Sequence, residues 1–91
     1  MVTVLINHEV SNYQKWEEQF DLYEPIRTMA GFKLIGIYCL FDDAQKLVIL
    51  FEAPSIAAIK KVFNDPKLQA DMLEAGVIKK PVLQILNKLV V

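Results

Sequence analysis

The chain has 91 residues, a formal net charge of −1 and a single cysteine, and it carries no basic stripe. This length makes one domain over residues 1–91, one cysteine rules out an intrachain disulfide, and the absence of a concentrated positive field disfavours nucleic-acid binding. Apolar residues make up 54% of the sequence, somewhat above the usual globular share, so we expect association with a second copy.

No stretch of the sequence approaches the ~20 apolar residues of a membrane span. The first ten residues have the pattern of a strand and lack the charged region and cleavage site of a signal peptide. We therefore predict a soluble, cytoplasmic protein. The pairs Lys60–Lys61 and Lys79–Lys80 are predicted to lie on solvated surfaces.

The chain begins with a predicted strand and helix. Residues 2–10 are rich in Val and Ile, which favour strands. Ser11 is a candidate N-cap, and Gln14 three residues later completes a capping box. The helix that follows carries an aromatic stripe at helical spacing, expected to lie on the sheet: Tyr13, Trp16, Phe20 and Tyr23.

Pro25 interrupts this helical pattern. Proline lacks an amide N–H and clashes with the preceding turn, so we predict a kink or a break into two helices near Tyr23–Glu24. Gly31 is well placed to end the helical segment as its C′ residue.

A hairpin is predicted next. Residues 33–41 and 46–53 are strand-like, and the polar segment Asp42–Gln45 connects them as a four-residue loop. Asp42 and Asp43 are interpreted as turn residues, because aspartate side chains stabilise turns.

Two short helices and a strand complete the chain. Ser55 is the predicted N-cap of one helix, and Asp65 caps the next, with Pro66 in its first position. Gly76 ends that helix, and residues 82–89 form the last strand. The two apolar helix stripes are Ile56, Ile59 and Phe63, then Leu68, Met72 and Ala75.

The later strands are apolar on both faces. Gly36–Phe41, Leu47–Phe51 and Val82–Leu86 alternate only weakly between apolar and polar residues, so both faces of their sheet need cover. The order β-α-β-β-α-α-β predicts an α+β, ferredoxin-like fold: a four-stranded antiparallel sheet with helices on one face. A second copy on the other face gives a dimeric α+β barrel, with a cavity between the two sheets.

This order, together with the local sequences at 6–16, 30–38, 47–68 and 72–83, resembles the dimeric α+β barrel superfamily. That superfamily includes antibiotic-biosynthesis monooxygenase-like proteins and small relatives described as cyclases. The resemblance implies a homodimer. Its members include cofactor-independent oxygenases of polyketide aromatics, haem degraders and isomerases, and fold likeness cannot choose among them.

The haem-degrading branch is the least compatible with these residues. Asn7 could fill the asparagine position on its first strand. That branch also needs a histidine and a nearby tryptophan on a later helix, whereas Leu68–Ala75 contains no histidine and Trp16 lies on the first helix.

His8 and Asn7 are the candidate catalytic residues. His8 is the only histidine, and its side chain can act as a base or an acid near neutral pH. Structural hydrogen bonding is the alternative role for each. By strand alternation His8 shares a face with Val4 and Ile6, which suits the helix-covered side and turns Asn7 toward the barrel interior.

Four further residues are candidate ligand contacts. Tyr38 could orient a substrate hydroxyl, and Trp16 could reach a pocket with its polar tip; simple burial is the alternative for both. Glu52 could act as a base if a pocket raised its pKa, or it could lie at the sheet rim. Arg27 could hold an anionic ligand, or it could be exposed or ion-paired.

We therefore predict a small protein that binds an apolar or aromatic molecule in a barrel cavity. It is expected to use no cofactor and no metal, as a candidate cofactor-independent monooxygenase or cyclase. A non-catalytic dimeric binding or structural module is the alternative, and a muconolactone-type isomerase is the weaker one. Motifs of nucleotide-binding, serine-hydrolase and zinc-protease sites are absent from the sequence.

Overall fold

The computed structural model describes residues 2–76 and 81–90. Its elements, in chain order, are β1 (Val2–Glu9), α1 (Tyr13–Leu22), α2 (Glu24–Met29), β2 (Lys33–Leu40), β3 (Asp43–Ala53), α3 (Ile56–Phe63), α4 (Pro66–Glu74) and β4 (Val82–Leu86).

The strands form one antiparallel four-stranded sheet in the order β2-β3-β1-β4. The predicted α+β, ferredoxin-like fold is confirmed. Between β1 and β2 the chain forms two separate helices, α1 and α2, and not one kinked helix. None of the helices in the described ranges is long and apolar enough to cross a membrane. The Lys79–Lys80 pair and its predicted solvation lie outside the described residues.

The start of α1 differs from the prediction. Asn12, not Ser11, is the N-cap, and its side-chain oxygen accepts from the backbone N–H of Lys15 at 3.1 Å. The backbone N–H of Ser11 donates instead to the carbonyl of Gly76, 2.9 Å away. Two adjacent residues could both cap, and the contact with Gly76 holds Ser11 one position outside the helix.

The other helix boundaries follow the predicted signals. The break between α1 and α2 falls at Tyr23, with Pro25 in the first turn of α2. Ser55 caps α3 through the backbone N–H of Ala58, and Asp65 caps α4 through that of Lys67, with Pro66 at the start of α4.

The hairpin is tighter than predicted. Leu40 pairs with Asp43, so the turn contains only Phe41 and Asp42, and β3 begins three residues early. The Asp43 side chain accepts from the backbone N–H of Gln45 at 3.0 Å, which supports the turn while Asp43 itself remains in the ladder. The last strand ends at Leu86, earlier than the predicted residue 89.

One face of the sheet is covered by the helices, and the other is not. Val4, Ile6 and His8 of β1 are buried against the helices, as the alternation predicted. The face away from the helices, called here the open face, carries the alternate residues of each strand. By register it includes Thr3, Leu5, Asn7, Gly36, Tyr38, Val48, Leu50, Glu52, Val82, Gln84 and Leu86.

Gly31 follows α2 in the left-handed region, with φ of +84°, and a Cβ there would lie 3.2 Å from Pro54 Cγ. We expect Gly31→Ala to lower the free energy of unfolding by about 1–2 kcal/mol, because this region disfavours residues with a Cβ. Urea denaturation measures the loss. Gly31→Asn is the matched control, since asparagine adds the same Cβ but tolerates the conformation. Equal losses in both variants would assign the cost to Pro54 instead.

Candidate functional site

A cavity of about 140 Å³ lies between the helices and the covered face of the sheet. The cavity predicted from the sequence lies between two sheets and would require a second copy of the chain. The lining is aromatic and aliphatic for the most part, with a few polar groups. Its members are Ile6, His8, Trp16, Gln19, Phe20, Tyr23, Ile26, Arg27, Phe32, Ile49, Phe51, Val62, Phe63, Asp65, Leu68, Asp71, Met72 and Ala75.

His8 is the buried polar residue of this cavity. Its side chain is only 7% exposed, and Nδ1 is buried without a hydrogen-bond partner among residues 2–76 and 81–90. Burial lowers the pKa of His8 from 6.5 to about 4, because the apolar surroundings disfavour the imidazolium ion. At neutral pH the imidazole is uncharged and can pair with a ligand hydroxyl through Nδ1. Buried polar atoms are normally satisfied, so this unpaired nitrogen is an exception among the described residues.

A row of rings extends from His8 along α1. The ring centroids of His8 and Trp16 are 6.0 Å apart, and Trp16 stacks on Phe20 at 4.8 Å. Trp16 is 4% exposed, so it serves both in the core and in the cavity wall, and the two roles predicted for it are compatible.

Arg27 lies at the other end of this row. Its guanidinium carbon is 3.7 Å from the centre of the Phe20 ring, and Nη1 donates to the Phe20 carbonyl oxygen at 2.7 Å. Burial lowers the pKa of Arg27, but an arginine stays protonated in proteins. The cavity thus has a fixed cation at one end and a neutral imidazole at the other.

One contact that was not predicted from the sequence joins the helices over this cavity. The Tyr23 hydroxyl donates to Asp71 Oδ2 and so joins the α1–α2 junction to α4. Burial, followed by this hydrogen bond, raises the pKa of Tyr23 to about 12. Tyr23 is therefore committed to Asp71 and is a poor proton donor to a ligand. The two residues are 48 positions apart, and no local pattern indicates their pairing.

Three candidate residues lie elsewhere. Asn7, Tyr38 and Glu52 are all on the open face, with Tyr38 and Asn7 flanking Val48 in one row of the sheet. Asn7 lines a more open depression of about 210 Å³, to which His8 also contributes. The structure thus brings His8, Trp16 and Arg27 together in the helix-side cavity and separates them from Asn7, Tyr38 and Glu52.

The resulting chemistry is that of a mostly apolar, aromatic pocket with a few polar and ionisable groups. Within the described ranges, no three His, Cys, Asp or Glu side chains are grouped as metal ligands. The arrangement can bury a flat apolar ring, form a hydrogen bond to it at His8, and favour negative charge at Arg27.

No family model and no curated protein sequence matches the chain. Solved structures do match over nearly its whole length. A putative antibiotic biosynthesis monooxygenase from Bordetella bronchiseptica has a TM-score of 0.78 at 9% identity, covering 98% of this chain and 97% of its own. Another, from Caulobacter crescentus, has a TM-score of 0.71 at 16% identity, covering 97% and 89%.

A protein of unknown function from Nitrosomonas europaea is also similar, with a TM-score of 0.65 at 12% identity, covering 99% of this chain and 90% of its own. At these identities the likeness establishes the fold and does not transfer an activity. The resemblance predicted from the sequence is confirmed at that level.

Proposed function

We propose that this chain, which has the fold of the antibiotic biosynthesis monooxygenase structures, binds an aromatic hydroxyl compound in the helix-side cavity and oxidises it with dioxygen. The observation that carries the proposal is the buried, unpartnered Nδ1 of His8 in an aromatic cavity. Such cavities, mostly apolar with a few placed polar groups, are the usual form of small-molecule sites.

In this proposal each polar group has a distinct role. Neutral His8 accepts a hydrogen bond from the ligand hydroxyl and draws its proton away. Arg27 favours the electron-rich phenolate by its positive charge. Trp16 and Phe20 hold the ring and exclude water, which strengthens both interactions.

The proposed oxidation needs dioxygen and the ligand alone. A dihydroxyarene supplies all the electrons: one oxygen atom enters the ring in place of a hydrogen, the other leaves as water, and the ring ends as a hydroxyquinone. The ligand is thus the reductant, which agrees with the predicted absence of a cofactor.

The second candidate is a binding module without catalysis. A pKa of about 4 makes His8 a weak base at neutral pH, and this observation favours recognition over proton transfer unless a bound ligand raises that pKa. A muconolactone-type isomerase has no specific observation in its favour.

Oxygen uptake discriminates between these functions. We expect the protein to accelerate dioxygen consumption by at least one member of a series of dihydroxyarenes with one, two or three rings, without added cofactor, and to place one ¹⁸O atom from ¹⁸O₂ in the product. His8→Phe keeps a ring and removes both nitrogens, so it should lose most of the acceleration. Uptake no faster than autoxidation, with binding intact, would favour the binding module.

We also propose that the open face is covered by a second copy of the chain. Tyr38 and Val82 on that face are 54% and 58% exposed, and Leu5, Val48 and Leu50 lie between them across the sheet. An apolar patch of this extent is typical of an interface. Asn7, Tyr38 and Glu52 would then line the space between two sheets. Light scattering should give twice the chain mass of 10.4 kDa.

A cytoplasmic location stays a prediction.

A further inference from the structure

The helix-side cavity is small for a ligand site. Its volume is about 140 Å³, whereas pockets for drug-sized ligands usually measure about 300–1,000 Å³. An engineered apolar cavity of about 150 Å³ in another protein holds one benzene molecule. The space behind α1 and α4 therefore matches one six-membered ring.

The walls leave little room for expansion. On the sheet side, Ile6, Ile49 and Phe51 are each at most 3% exposed and lie in the two central strands. Moving them would disrupt the strand pairing of β1 with β3. A ring that needs more space must therefore displace a helix or extend out of the cavity into solvent.

The helix side is also held in place. Trp16 stacks on Phe20, and Phe20 is covered by the guanidinium of Arg27. The hydrogen bond between Tyr23 and Asp71 ties the α1–α2 junction to α4. A three-ring ligand could be enclosed completely only by breaking these contacts, whereas a single ring need not break them.

The cavity also offers its ligand few hydrogen bonds. Nδ1 of His8 is a single unsatisfied site, and the rings beside it offer only apolar faces. A ligand with a hydroxyl on the ring can satisfy that nitrogen and gains one hydrogen bond. An unsubstituted hydrocarbon leaves the nitrogen unpaired, as it is in the free protein, and gains none.

We propose that the cavity selects a single-ring phenol, whose hydroxyl forms a hydrogen bond with His8 Nδ1, over larger polycyclic phenols. This inference rests on the proposed function, because it names the ligand class of the same cavity. Two properties of the cavity define this selection. Its size limits the number of rings in the ligand, and His8 favours a ligand that carries a hydroxyl group.

The test uses nuclear magnetic resonance titration of the whole chain, following the indole N–H of Trp16. Trp16 is the single tryptophan and lines the cavity, so its resonance reports binding there. The probes are 4-methylphenol, toluene and 2-hydroxyanthracene. We expect 4-methylphenol to bind one per chain and 2-hydroxyanthracene to bind at least roughly tenfold more weakly or not at all.

Two variants separate size from hydrogen bonding. His8→Phe should weaken 4-methylphenol by roughly fivefold to tenfold, the effect of one hydrogen bond, and leave toluene nearly unchanged. Met72→Ala removes most of a lining side chain and should improve binding of 2-hydroxyanthracene relative to 4-methylphenol. The comparison of ring sizes in the unmodified protein requires neither variant to fold.

The outcomes are distinct. If 2-hydroxyanthracene binds the unmodified protein as tightly as 4-methylphenol, the size selection is overturned and the proposed function stands. Equal weakening of 4-methylphenol and toluene in His8→Phe would overturn the role of His8. If no probe shifts the Trp16 resonance, the cavity is no aromatic site and the proposed function fails with the inference.

Discussion

Leu50→Asp is expected to convert the proposed dimer of this chain into folded monomers. Leu50 is half-buried in β3 and lies on the open face between Leu5 and Gly36. An uncompensated buried charge costs about 3–5 kcal/mol, and a two-fold interface would bury two of them. At about 1.4 kcal/mol for each factor of ten, the dissociation constant should rise roughly ten-thousandfold or more. Sedimentation velocity at low micromolar concentration measures the change.

The matched control is Leu73→Asp. Leu73 lies on α4, is 72% exposed and is outside the open face, so the same substitution there should leave the dimer intact. Circular dichroism should show that both variants keep their helices and strands. A Leu50→Asp chain that stays dimeric would mean that the two copies meet through some other surface.

Acidification is expected to destabilise the protein through His8. Above pH 6.5 the imidazole is neutral in both the folded and the unfolded chain. Between pH 6.5 and about 4 the unfolded chain binds a proton that folded His8 does not, so stability falls as pH falls through this window. At pH 5.0 the loss relative to pH 7.5 should reach about 2 kcal/mol, at 1.36 kcal/mol per pKa unit.

Urea denaturation at the two pH values, at one protein concentration, measures this loss. His8 is the only histidine, so His8→Phe should show little change in stability between pH 7.5 and 5.0. The same pH slope in His8→Phe would assign the acid sensitivity to the carboxylates. A bound phenol that pairs with Nδ1 should alter the slope of the unmodified protein only.

Local signals in the sequence predicted the fold well. Ser55 and the Asp65–Pro66 pair mark helix starts through hydrogen bonds made within a few residues. Strand alternation placed His8 under the helices and Asn7 on the opposite face, because the side-chain period of a strand is two. Where two adjacent residues could both cap a helix, a distant contact with Gly76 decided in favour of Asn12.

The site could be predicted from local sequence signals only in part. His8, Trp16 and Arg27 were all recognised as candidates, but nothing local indicated that they share one cavity on the helix side. Their grouping depends on how α1, α2 and α4 lie over the sheet, and the bond that fixes this spacing joins Tyr23 to Asp71 across 48 residues. A local sequence pattern does not specify the distance between the helix layer and the sheet.

The strand order also bears on how the chain assembles. β2 and β3 are joined by a two-residue turn and can pair early, whereas β1 pairs with β4 only after most of the chain lies between them. Until β4 docks, β1 is an unpaired edge with Val4, Leu5 and Ile6 in sequence. Such edges recruit strands from other chains. We therefore expect docking of β4 to be the folding step at which this protein is most exposed to aggregation.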